Sequence, residues 1–230
     1  MVSGNEDGTL RVWDTATGAQ LATLVGRRTG RWLALTPAGF FASSGSANDL
    51  IGIVRGLDAT TIDQVHQSQF NPDLVRETLT GDTDGEAAEA AKAVNLEKVI
   101  DSGPAPSVAI ASPTGGSLTA TDLVTVTARV EDRGKGVGRI EWRVNGIPAA
   151  VAARPEDRGP RDTVTRQLAL DAGDNTIEVV AYNSLNLLAS LPARTAIKYT
   201  GPADEREGEV AHPGHRHQRL RGPGLDAAGI

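Results

Sequence analysis

The side chains that could do chemistry in this chain are few, and their types close off most reactions. Cysteine is absent, which removes thiol nucleophiles, disulfides and thiolate-bound zinc. Only one histidine, His66, precedes residue 201, and it sits in DQVHQSQF with no acid or nucleophile pattern around it. A surface or packing role is expected for it rather than general-base work. His212, His215 and His217 are spaced closely enough to hold a metal loosely, but in a stretch without any period. Ser46, in Ser44-Gly45-Ser46-Ala47, lacks the Gly-x-Ser-x-Gly elbow that strains a serine into exposure, and reads as a loop serine. Lys135, in Gly134-Lys135-Gly136, has neither the earlier glycine nor the following hydroxyl of a phosphate loop, and reads as part of a β-turn. Acidic turns at Glu131-Asp132, at Glu156-Asp157 and at Asp171 with Asp174 could offer carboxylates to Ca²⁺. None has the spaced ligand loop of an EF-hand, and Asp is also a residue that tight turns prefer. The sequence therefore predicts no catalytic, cofactor-binding or metal-binding set, and no enzyme.

Composition narrows the partners. The 230 residues carry a formal charge of -6, and the few lysines are scattered rather than gathered into a stripe for a phosphate backbone. Nucleic acid is not an expected partner. No apolar run approaches the ~20 residues that span a bilayer, and MVSGNEDG lacks the basic start and apolar stretch of a signal peptide. No membrane association is expected, and the cytoplasm is the default location. Hydrophobic residues make up 39% but aromatics only 3%, enough for modest β cores. Protein partners, of unidentified kind, are the expected ligands.

The elements that would position any site read as mainly β. Residues 1–60 hold short strands: Val2 onward, Leu10 to Trp13, a third after Thr17-Gly18, Trp32 to Leu35, Phe40-Phe41 after a Pro37-Ala38-Gly39 turn, and the apolar run Leu50 to Val54. Residues 61–103 form a helical connector ending in a Pro-rich linker. Asn71-Pro72-Asp73 gives a helix start and Gly81 a stop, so 72–80 is predicted helical. A second helix is expected from Asp84 through EAAEAAKAVNLEKVID to about residue 101, its thin Ala-rich face lying across a neighbour. Ser102-Gly103-Pro104-Ala105-Pro106 reads as a stiff break. Beyond it, over 104–200, a two-residue period dominates: Val124, Val126, Ala128 and Val130 face one way, and Ile140, Trp142 and Val144 alternate with Glu141 and Arg143. Further strands are expected at 163–170, 176–182 and 193–199. Six or seven short strands at this spacing predict an immunoglobulin-like or fibronectin-type β-sandwich with Trp142 as its core aromatic. Residues 201–230, crowded with Arg, Gly, Pro and His, are expected to be a disordered tail.

Residues 1–24, VSGNEDGTLRVWDTATGAQLATL after the first Met, resemble one blade of a WD-repeat propeller from its second strand onward. That resemblance implies a buried hydrogen-bond network in which Asp7, Ser3 and Trp13 take part; the His that would complete it is missing, and Gly26-Arg27 stands where the next blade would have Gly-His. A lone blade leaves both sheet faces uncovered, so an exposed blade edge open to association is expected. The order of parts resembles the non-catalytic front of bacterial WD-repeat proteins that continue into a caspase-like peptidase domain. Reading permitted codons of Pro213 to Leu220 one base later can give Leu-Ala-Ile-Gly-Ile-Asn-Ala-Tyr, similar to the opening of such a domain. A frameshift near Ala211 in a longer mosaic is the expectation this raises. The leading function is a non-catalytic protein-interaction or scaffold fragment. The alternative is a regulatory part of a caspase-like cysteine peptidase whose catalytic domain is missing or encoded in an adjacent frame. A third is a hydrolase or carbohydrate-binding domain using the loops around Arg154 to Arg161.

Overall fold

The computed structural model describes residues 1–56, 58–152 and 163–201. The tail histidines, Glu156-Asp157 and the loop from Arg154 to Arg161 lie outside the described residues. The chain opens with a five-stranded antiparallel meander in sequence order: β1 (Val2–Gly4), β2 (Thr9–Trp13), β3 (Gln20–Gly26), β4 (Trp32–Leu35) and β5 (Phe41–Ser43). The register Leu10↔Leu24↔Ala34↔Ala42 aligns apolar side chains along one face. Val25, Leu33, Leu35 and Phe41 take the opposite face, as a period of two requires. A separate hairpin follows, β6 (Gly52–Arg55) with β7 (Asp58–Thr61).

The connector covers what the meander alone would leave bare. After a 3₁₀ turn (Ile62–Val65) come α1 (His66–Gln69), α2 (Pro72–Thr80), α3 (Glu86–Ala93) and α4 (Leu96–Asp101). Helix α2 begins and ends where its sequence signals place it, with Asn71 Oδ1 accepting from the Leu74 N–H at 3.0 Å and Gly81 left-handed at φ 102°. The single helix expected to run from Asp84 to about 101 is instead two. Val94 is extended and Asn95 Oδ1 accepts from the Lys98 N–H at 2.9 Å, so the asparagine starts a new helix rather than continuing the old one. The break lets Leu96 turn into the core, where its N–H donates to Ala38 O at 2.9 Å. Gly39 makes this approach possible: at φ +94°, a Cβ there would stand 2.3 Å from the Leu96 Cβ.

Two clusters thus clasp the β3–β5 end of the meander. Ala34, Phe40 and Ala42 pack against Val75, with Leu74, Ala90 and Ala91 beside them. On the other face Leu33 and Phe41 pack with Ile62, Val65, Val99, Ala105 and Leu188. The expectation that both faces of a lone blade lie bare is corrected, because the chain's own helices cover them. The β1–β2 end stays open, with Val2 61% and Leu10 46% exposed, as does Trp32 at the start of β4.

Strands β8 (Ser107–Ser112), β9 (Ser117–Thr119), β10 (Leu123–Glu131), β11 (Val137–Val144), β12 (Ile147–Ala152), β13 (Thr163–Ala169), β14 (Gly173–Asn183) and β15 (Ala193–Tyr199) build two facing sheets. Their orders are β13-β10-β8 and β12-β11-β14-β15-β9. Between them lies a core of Val126, Ala128, Val130, Ile140, Trp142, Ile177, Val179 and Ile197, among others. Trp142 is the largest fully buried side chain. The inward-facing half of the alternation read from the sequence is therefore observed, and the unit is an Ig-like β-sandwich. Among the described residues no helix is long and apolar enough to cross a membrane.

Candidate functional site

The second face of the β11-β14-β15 sheet does not meet water as the alternation predicts; part of it turns toward the connector. The joint is held by Asn183, which is fully buried at the end of β14. Its Nδ2 donates to Ser102 Oγ at 2.5 Å and to Gly103 O at 3.2 Å, while its Oδ1 accepts from the N–H groups of Leu187 and Leu188 at 3.0 and 3.3 Å. Gly103 has φ +106°, and a Cβ there would lie 2.5 Å from Lys135 Cδ. The Lys135 ammonium donates to Asp101 O at 2.9 Å, at the C-terminal end of α4. A second fastening pairs backbones far apart in sequence: the Ala189 N–H donates to Gln64 O at 2.9 Å and Gln64 Nε2 donates to Ala189 O at 3.0 Å.

Around this joint lies a cleft of about 860 Å³. Its floor is the outer sheet face, where Arg143, Glu178 and Arg194 stand on one cross-strand rung. Arg143 Nε donates to Glu141 Oε1 at 2.6 Å, and Arg194 Nε donates to Glu178 Oε1. Glu141 is only 7% exposed, so Arg143 neutralises a carboxylate taken out of water. Burial acts against the charge of Arg143, but the hydrogen bond and charge of Glu141 outweigh it and hold the guanidinium firmly protonated. Four residues further along these two strands, the Arg139 guanidinium lies 4.0 Å from the Tyr182 ring centroid and donates to Gln67 Oε1. Burial pushes the Tyr182 phenol above its ordinary range, with the charge of Glu141 acting in the same direction.

The opposite wall comes from the connector and the loop after β5. The His66 ring stacks on Phe70 at 4.3 Å and 11° and meets Phe41 edge-on at 5.9 Å. Burial lowers its pKa below the ordinary histidine value; Asp63 opposes that shift and Arg143 reinforces it. Although His66 is exposed on one side, its ring is engaged in packing against Phe70 and Phe41. Asp63 Oδ2 accepts from Ser46 Oγ at 2.7 Å and from Asn48 Nδ2. The Ser46 hydroxyl is thus engaged by a carboxylate and not by the imidazole, and among the described residues of the cleft no nucleophile–base pair is formed.

The remaining residues singled out by sequence lie elsewhere. Trp13 Nε1 donates to Ser3 Oγ at 2.9 Å, which brings those two together. Asp7 stands apart from them, accepting from the N–H and hydroxyl of Thr9 within its own exposed turn, and these bonds hold its carboxyl below the usual range. The Asp132 carboxylate accepts from the N–H groups of Gly134 and Gly136, and Asp171 Oδ2 accepts from Asn145 Nδ2 at 2.7 Å. Both carboxylates therefore serve their turns. Among the described residues no group of three His, Asp or Glu side chains is placed to hold a metal ion.

Comparison with known proteins reaches the sandwich. Residues 106–179 match the family described as bacterial Ig domain. No curated protein matches the chain. Among solved structures it is similar to the fibronectin(III)-like modules of CbhA from Clostridium thermocellum, at 19% identity and a TM-score of 0.33, covering 41% of this chain and 98% of that one. It is similar to the endo-beta-1,4-mannanase of Thermotoga petrophila at 15% identity and a TM-score of 0.34, covering 50% of this chain and 23% of that one. A lytic polysaccharide monooxygenase of Jonesia denitrificans gives 19% identity and a TM-score of 0.30, with 38% and 58% covered. The family match at residues 106–179 lies in the part of the chain that folds as the Ig-like sandwich.

Proposed function

We propose that the chain is a non-catalytic binding module, in which an Ig-like sandwich and a clasped β-meander together present the cleft at their joint to a protein partner. The observation that carries this reading is the cleft's composition. It gathers paired charges, amides, hydroxyls and the stacked His66–Phe70 face around about 860 Å³, with its one serine–carboxylate contact turned away from the imidazole. Such a surface offers many directed contacts and no reactive centre. The meander's origin as a WD-repeat blade belongs to the same proposal, supported by the Trp13–Ser3 hydrogen bond. The test is site-specific photocrosslinking in the native cells. A probe at Leu191, exposed on the cleft rim, is expected to capture one defined partner, and the same probe at Leu123, exposed on the other sheet, is not. Equal capture at both positions, or substrate turnover by the pure chain that is lost on altering the cleft, overturns the reading.

A further inference from the structure

We infer that the cleft recognises carboxylate groups, through the outward ends of Arg143 and Arg194. The inference rests on the binding-module reading and names the chemistry of its ligand. Register places Arg143, Glu178 and Arg194 side by side on three neighbouring strands. Strand spacing then sets the two arginine Cα atoms about 10 Å apart. Each guanidinium bonds a protein carboxylate through Nε, Arg143 to Glu141 and Arg194 to Glu178. Among the described residues, neither pair of Nη groups has a hydrogen-bond partner.

A guanidinium carries five N–H donors in a rigid fork, so each arginine keeps its paired Nη edge for something else. The Arg143 side chain is only 32% exposed, and donors partly withdrawn from water gain more from a fixed acceptor than surface donors do. The acceptor that matches a planar fork is a planar pair of oxygens. Charge chooses between carboxylate and phosphate. The rung holds two cations and Glu178, and Glu141 balances what remains, so the floor is close to neutral and Asp63 lies on the facing wall. Each fork takes one singly charged carboxylate, and a ligand can spread its charges over the two forks, whereas phosphate concentrates two charges at one point among three carboxylates. The cleft's size suits a free small acid or a few residues of peptide bearing acidic side chains.

Calorimetric titration of the full chain tests this, with a hexaglutamate peptide, free glutarate, a hexaglutamine peptide and inorganic phosphate as probes. Saturable binding of hexaglutamate or glutarate, with none to hexaglutamine and phosphate weaker by roughly tenfold or more, is the expected result. Binding confined to hexaglutamate assigns a peptide source, and equal binding of glutarate assigns a free acid. Arg194→Gln, at a side chain 62% exposed, is expected to weaken binding roughly tenfold while the fold is kept. Arg143→Gln would strand the buried Glu141, so it is made together with Glu141→Gln and checked by circular dichroism. Failure of both carboxylate probes to bind, or unchanged affinity in the folded arginine variants, overturns the inference. Should the Leu191 crosslink persist in that case, the binding-module reading stands and only its carboxylate chemistry falls.

Discussion

Replacing Asn183 by alanine asks whether the sandwich and the connector are one cooperative unit. The asparagine makes four hydrogen bonds, two to Ser102 and Gly103 and two from the Leu187 and Leu188 backbone, and it is fully buried. At a net value of about 1 kcal/mol each, their loss costs about 4 kcal/mol, and local rearrangement of the Leu187–Leu188 turn recovers about 1. A net loss of about 3 kcal/mol corresponds to a fall in Tm of roughly 10 °C for a chain of this size. Calorimetry gives the size of the effect and amide hydrogen exchange gives its location. In the parent protein, α4, the Ser102–Pro106 segment and the end of β14 are expected to open together. In Asn183→Ala, α4 and that segment lose protection while the Trp142-centred core keeps it. A destabilisation below about 1 kcal/mol, or separate openings already in the parent, would refute the claim that this residue joins the two units.

Three further outcomes follow from individual side chains. Gln69 is fully buried and neither of its amide atoms has a partner among the described residues. Gln69→Met is therefore expected to raise stability by about 1–2 kcal/mol in urea unfolding, and a loss would show that the amide is satisfied after all. Because burial lowers the His66 pKa, the unfolded chain binds the proton more readily below its own pKa of about 6.5. Stability should thus fall as pH drops from 7 through 6 toward the folded-state pKa, and His66→Phe should flatten that slope; an unchanged slope in the variant would assign it to other groups. Trp142→Ala empties the largest buried site of the sandwich core and is expected to cost about 4 kcal/mol or more, seen as loss of cooperative unfolding.

Much of the fold was legible because its signals are local. The Val124–Val130 alternation, the Asn71-Pro72 helix start and the Gly81 stop each act through neighbours a few residues away, and each element formed where its residues predict. The split at Val94-Asn95 was equally local, but the Ala-rich composition around it masked a capping asparagine. The cleft was not legible. Its fastenings join Gln64 to Ala189 and Ser102 to Asn183, contacts 125 and 81 residues apart, and separations of that kind leave no period. One signal was present and passed over. In Glu178-Val179-Val180-Ala181-Tyr182 the alternation lapses into an apolar run, which marks a strand covered on both sides. The same covering explains why Glu141, read as solvent-facing, is buried.

The Asn183 joint gives this polypeptide a mechanical character that a Pro-containing connection between modules would not by itself suggest. A flexible tether absorbs a pull or a twist as slack. Here Ser102 and Gly103 are gripped at the end of the longest described strand, so a load applied at the first sheet would be passed to the sandwich instead of being taken up as slack. With the joint intact, the two arms would turn together as a crank does, and a ligand seated between them would sense movement of either.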